Sequence, residues 1–109
     1  MQVVTIDIWT AEGNRGGSIK LDKYELVKAF IVEHLREKIE SSFSDLLEEG
    51  KIKLSGKFPE PELSYLLVKV KGDLEARGII RKQWQLGRVQ VLRLKKGHFK
   101  TIQVHRTLG

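Results

Sequence analysis

Two groups of residues in this chain have the charge and hydrogen-bonding capacity for chemistry with an anion. Arg81, Lys82, Arg88, Arg93, Lys95 and Lys96 fall close together, with Lys100 and Arg106 beyond them. No acid interrupts that run, so contact with phosphate oxygens, which need charge and no particular sequence, is its favoured chemistry. The same cations would also keep an exposed strand edge from pairing with other chains, and the two roles are compatible. The second group is Tyr65 and Lys69, flanked by Ser64 and Lys71. A spacing of four sets a phenol and an ammonium one turn apart on a helix, where both can meet a phosphate or a base edge. Arg, Asn and Gln read base edges better, and that face carries none of them.

Other chemistry is thin. His34 falls among apolar residues at helical spacing and reads as a packed histidine. His98 and His105 are seven apart without a nearby acid, which argues against a metal site. Glu48 and Glu49 belong to a helix end and form no acid–base pair. The run Gly13-Asn14-Arg15-Gly16-Gly17 could cradle an anion, but it lacks the lysine and hydroxyl residue of a phosphate loop and reads as a flexible turn. The absence of cysteine removes disulfides, thiolate metal sites and a cysteine nucleophile. Trp84, near a hairpin tip, and Trp9, in the first strand, suit core cover or a partner contact. The expectation is a protein without catalytic residues, metal or cofactor, and with no evident small-molecule substrate.

Net charge is +6 over 109 residues, and its distribution is uneven. Residues 1–61 hold nine Lys and Arg against eleven Asp and Glu, whereas residues 62–109 hold eleven against three. Such a skew gives a basic face, which attracts polyanions. An apolar fraction of 40% and a charged fraction of 31% suit one globular domain. The N-terminus has no basic leader followed by an apolar run, and no apolar stretch approaches the ~20 residues of a membrane span. A cytoplasmic location with no membrane role is expected.

The elements that must hold these residues follow from periodicity. Residues 3–9 alternate as a strand, 11–18 form a turn-rich loop, and 18–21 return as a short strand, making a ribbon. Asp22, with Glu25 three residues on, predicts a capped helix start. Val27, Phe30, Ile31, His34, Leu35 and Ile39 form its buried stripe. Ser41–Ser42 with Asp45 begins a second helix of about two turns, with Phe43, Leu46 and Leu47 on its apolar side and Gly50 at its C′ position. Residues 51–60 read as a loop with one short extended segment carrying Ile52, Leu54 and Phe58. Pro61 opens a third helix that buries Leu63, Leu67, Val70 and Leu74 and exposes Tyr65, Val68, Lys69, Gly72 and Ala76. Gly78 closes it, and two β-rich segments follow as a hairpin. A two-residue Gly87–Arg88 turn and a three-residue Leu86–Arg88 loop pair different residues; the longer loop sets Ile80 opposite Leu94 and is favoured. Residues 97–109 read as a strand or a tail.

This element order resembles a winged helix-turn-helix, most specifically at Asp73–Lys82, where a helix runs through a glycine into a strand. The chain also resembles a family of uncharacterised bacterial winged-helix-like proteins, through Ile6-Asp7-Ile8-Trp9-Thr10, Asp22-Lys23-Tyr24 and Asp73-Leu74-Glu75-Ala76. The resemblance implies an α+β domain over residues 1–109: an N-terminal β-ribbon (1–21), a three-helix winged-helix core with a β-hairpin wing (22–96), and a basic C-terminal strand or tail (97–109). It implies no activity, since this fold carries many functions. With the charge pattern, the expectation is non-enzymatic, weakly specific binding of duplex DNA through a basic wing. The alternative is a protein-interaction module or homodimer on the same fold, with no DNA role.

Overall fold

Three helices and two small antiparallel sheets build a mixed α+β fold in the computed structural model, which describes residues 3–85 and 89–95. In chain order the elements are β1 (Thr5–Trp9), β2 (Arg15–Lys20), α1 (Leu21–Lys38), β3 (Glu40–Ser42), α2 (Phe43–Lys53), α3 (Glu60–Ala76), β4 (Ile80–Gln85) and β5 (Val89–Leu94). β1 and β2 form one sheet; the other has the order β3-β5-β4. Among the described residues no helix is long and apolar enough to cross a membrane. Arg88, Lys96, the side chain of Trp84 and residues 97–109, with His98, Lys100, His105 and Arg106, lie outside what is described.

The ribbon forms because Thr5, Asp7 and Trp9 alternate with Ile6 and Ile8, which turn toward the helices. Ile6 pairs with Ile19 and Ile8 with Gly17, after which Trp9 pairs with Arg15, so Gly16 is an extra residue in β2. This is a β-bulge, and Gly17 at φ +105° supplies the backbone conformation that it needs. The glycine run expected as a loop is therefore split: Gly13 sits in the turn, while Gly16 and Gly17 lie inside the strand.

α1 begins at Leu21, and the capping box expected at Asp22 and Glu25 is not made. Lys20 is the cap residue, without a side-chain bond, and Asp22 Oδ1 accepts from the Lys23 N–H at 2.8 Å within the first turn. The start is fixed by tertiary contact instead, the Leu21 N–H donating to the Val4 carbonyl at 2.8 Å. The buried stripe holds from Val27 to Leu35 and gains Tyr24 and Val32. Ile39 does not join it. It lies past the helix end, 63% exposed, at φ +69° and ψ −50°, where the chain reverses into β3.

That conformation crowds a β-branched side chain. Ile39→Gly is expected to raise stability by about 1 kcal/mol, strain relief of roughly 1–3 kcal/mol exceeding glycine's extra unfolded-state entropy. The measurement is the urea midpoint; a lower midpoint would rule out strain at this turn.

α2 is capped as its sequence predicts, Ser42 Oγ accepting from the Asp45 N–H at 3.1 Å. It then runs on to Lys53, so Gly50 is not its terminus. A Cβ at Gly50 would come within 3.0 Å of Leu67 Cδ1 and 3.3 Å of Phe30 Cε2. Glycine is there to let α2 approach α1 and α3, and three helices close over one core. The extended segment expected within 51–60 is absent: α2 occupies 51–53, a turn follows, Leu54 and Phe58 are buried and Ile52 is exposed.

α3 buries Leu63, Leu67, Val70 and Leu74 as expected, together with Leu66 and Asp73. Its end is a Schellman motif: the Ile79 N–H donates to the Leu74 carbonyl at 2.9 Å and the Gly78 N–H to the Glu75 carbonyl at 3.1 Å, with Gly78 at φ +77°. The hairpin register is that of the longer loop, Ile80 opposite Leu94. The hairpin is not a free two-stranded unit, however. β5 is a central strand, because Glu40–Ser42 pairs along its other side.

Candidate functional site

The residues quoted for family resemblance come from three distant parts of the chain, and they meet at Asp73. Its carboxylate is fully buried (0% exposed) and takes three donors: the Tyr24 hydroxyl, Arg77 Nε at 2.6 Å and the Trp9 backbone N–H at 2.8 Å. Arg77 also donates through Nη2 to the Asp7 carbonyl at 3.0 Å. One carboxylate thus joins β1, α1 and α3 and offsets its own desolvation with charge-assisted bonds. Burial, and then the bond to Asp73, push the Tyr24 phenol well above its usual 10.0. The same carboxylate raises Arg77 above its usual value. Beside this network, Lys23 pairs with Glu62 between α1 and α3. Charge counting missed Asp73 as an anchor. The available signal was position: it lies three residues beyond Val70 and seven beyond Leu66, on the buried side of α3.

The expected nucleic-acid contacts divide between surfaces. Tyr65 (52% exposed) and Lys69 share the outer face of α3, Lys69 Nζ lying 5.7 Å from the Tyr65 ring centroid. Val68 is exposed between them, and Ser64 is half-buried. Lys71 turns inward: its side chain is 14% exposed, bonded to Glu75 Oε1 at 3.0 Å and 5.8 Å from the Phe43 ring centroid. Alternation along β4 puts Arg81 and Lys82 on opposite faces. Lys82 approaches Glu75 Oε2 at 4.0 Å. Arg81 is paired across the strands with Arg93, whose Nη2 bonds Glu40 Oε2 at 3.0 Å. Lys95 is exposed. Among the described residues, no carboxylate pairs with Lys69, Arg81 or Lys95.

The ribbon covers part of the face expected to be open. A Cβ at Gly72 would lie 3.7 Å from the Ala11 nitrogen and 3.9 Å from the Trp9 carbonyl oxygen, so β1 and its turn run across the C-terminal half of α3. Between ribbon, helix and β4 lies a half-open cleft of ≈ 240 Å³ lined by Trp9, Glu12, Val68, Lys69, Glu75 and Lys82, among others.

A second cleft, of ≈ 250 Å³, holds His34, Ser41 and a group of acids that includes Asp45, Glu48 and Glu49. His34 Nε2 is 2.8 Å from Ser41 Oγ. The serine hydroxyl donates to the Ser42 carbonyl at 2.9 Å, which commits its proton and makes the imidazole N–H the donor to it. A serine in that arrangement is not activated by its histidine. The pair instead seats the buried centre of β3 against α1. Among the described residues there is no cluster of three or more metal-ligating side chains.

Burial holds the His34 imidazole below its usual 6.5; Lys38 and Lys53 act in the same direction, Glu49 and Asp45 against it. The unfolded chain therefore binds a proton that the folded protein refuses. The His34 contribution is complete above pH 6.5 and is lost as pH falls from there through the lowered value. Tm is expected to fall along that limb, and His34→Gln is expected to flatten it; an unchanged limb in the variant would assign the acid loss to other groups.

Over residues 5–91 the sequence matches the family of unknown function DUF6958, and the chain belongs to that family. The match begins with β1 and ends within β5, so it takes in the ribbon, all three helices and the Asp73 network. No curated protein and no solved structure matches the chain.

Proposed function

We propose that this member of a family without an assigned activity is a non-enzymatic nucleic-acid-binding protein of winged-helix type, holding duplex DNA mainly by its phosphates. The observation that carries the reading is where the acids of the basic half go. Asp73 is fully buried, the Glu75 side chain is 7% exposed and engaged by lysines, and Glu62 pairs with Lys23. Lys69, Arg81 and Lys95 keep no carboxylate partner among the described residues, so the charge of these three is not offset by an ion pair there. The order α1-β3-α2-α3-β4-β5, with β3 laid along the β4–β5 hairpin, supports the winged-helix reading. The ribbon beside Gly72 supports weak specificity: it leaves the turn bearing Tyr65, Val68 and Lys69 open but narrows the length of α3 that could lie along the major groove.

The test is binding of labelled duplexes of unrelated sequence, followed by fluorescence anisotropy. Affinities should agree within a few-fold among sequences, and log K should fall linearly with log salt, by about 0.9 per phosphate neutralised. Unchanged anisotropy at low salt would end the proposal. A protein-interaction module or homodimer is the second reading, favoured by the exposed Val3, Val4 and Trp9 on a two-stranded ribbon. Light scattering tests its homodimer form, and a strict monomer counts against it.

A further inference from the structure

Three exposed apolar side chains and one lysine adjoin where the ribbon meets α3. Tyr65 and Val68, three residues apart on the outer face of the helix, are each 52% exposed. Lys69 lies one turn beyond Tyr65, its Nζ 5.7 Å from the ring centroid. Val68 and Lys69 also line the cleft against the ribbon together with Trp9, which is 42% exposed. Large apolar residues scattered singly over a surface need no explanation, but adjoining ones mark a place where something binds.

The row does not suit the dry centre of a protein interface. Lys69 stands among the apolar groups, and among the described residues no carboxylate pairs with it. An apolar partner laid over it would take an unpaired ammonium out of water, and lysine is depleted from such centres. The occupant must bring negative charge to Lys69 and flat apolar surface to Tyr65 and Trp9. A nucleotide carries both, in its phosphate and its base. The cleft lining favours the anion: it has Lys69, Lys71 and Lys82 against Glu12 and Glu75, and Glu75 is already engaged by two of the lysines. Bases inside a duplex are stacked on one another and show only their edges in the grooves, so an aromatic side chain stacks on unpaired or terminal bases. We infer that this row holds unpaired nucleotides, Tyr65 and Trp9 stacking on bases and Lys69 meeting a phosphate, so that the protein favours duplexes with a single-stranded end. The inference rests on the nucleic-acid reading and deepens it.

The test compares, by fluorescence anisotropy, a blunt duplex, the same duplex with a short oligothymidine overhang, and one whose overhang is abasic. The abasic overhang keeps the added phosphates and lacks the bases. One stacked base is worth about five- to 150-fold in affinity, so the thymidine overhang is expected to bind about tenfold tighter than the abasic one. That ratio should fall toward one in Tyr65→Leu and in Trp9→Leu, changes at exposed positions that keep apolar area and remove the ring. Trp9 bonds Asp73 through its backbone N–H, which leucine retains. Equal binding of the two overhangs, or a ratio that survives either substitution, would overturn the inference and leave duplex binding standing. A homodimer in light scattering that Val68→Asp dissolves would give the row to a second copy and overturn it too. No binding of any of the three DNAs would remove the nucleic-acid reading itself, and this inference with it.

Discussion

Asp73→Ala is expected to cost about 3–5 kcal/mol of folding stability, the range seen when one partner of a buried charged network is removed. The substitution strands three groups at once. The Tyr24 hydroxyl and the Trp9 N–H lose their acceptor, and Arg77 loses its counter-charge. For a domain of this size the loss corresponds to a fall in Tm on the order of 20 °C, a large share of a typical ~5–15 kcal/mol total. Asp73→Asn should be milder, about 2–3 kcal/mol, because its amide still accepts through one oxygen but turns a donor toward groups that are already donors. Tyr24→Phe, which removes one donor and leaves the other two, should cost about 1–2 kcal/mol. In a double-mutant cycle, Tyr24→Phe should add almost nothing on an Asp73→Ala background. Full additivity in that cycle, or a loss under 1 kcal/mol for Asp73→Ala, would show that the three elements are held by apolar packing alone.

Reversing the charge of Lys69 and Arg81 together is the change expected to affect duplex binding most. Neither has a carboxylate partner among the described residues, so Lys69→Glu/Arg81→Glu breaks no ion pair, and a glutamate at 81 gains Arg93 across the strands. Stability should be nearly unchanged. Affinity at low salt should drop about 10- to 100-fold, and the salt slope should fall by about one for each cation that had met a phosphate. Lys71→Ala is the informative control. Lys71 is internal and bonded to Glu75, so its loss should lower stability and leave the salt slope alone. A double variant that binds like the parent would move the phosphate contacts off these surfaces and break the link between unneutralised charge and DNA.

How far the sequence revealed this molecule depended on how local each cause was. The α3 stripe, the Ser42 cap and the Gly78 terminus are set by neighbours within one or two turns, and each was legible. The hairpin register was legible too, because only one loop length places Ile80 opposite Leu94. β3 was not. Glu40-Ser41-Ser42 has no apolar alternation, and only β5, some fifty residues away, makes a strand of it. Gly50 read as a helix end because its reason, the approach of Leu67 and Phe30, belongs to two other helices. Ile39 continued the helical spacing, and the reversal into β3 took it off the core. Of the candidate contact residues, composition counted the cations correctly but could not show which were already spent. Lys71 and Arg93 are bonded to Glu75 and Glu40, whereas Lys69 and Arg81 are not.

The bond from Trp9 to Asp73 spans 64 positions, and that span dictates an order of events during synthesis. At about 5–20 residues per second, the ribbon leaves the peptidyl-transferase centre roughly 3–13 seconds before its anchoring carboxylate is made. The ribbon can pair locally as soon as it is made, but it cannot dock on Asp73 until α3 exists. Until then Ile8 and Ile19, buried in the finished protein, face the surroundings of a growing chain. A released chain truncated short of Asp73 should therefore be readily cut by protease in the ribbon, and the full chain, once clear of the ribosome, should resist.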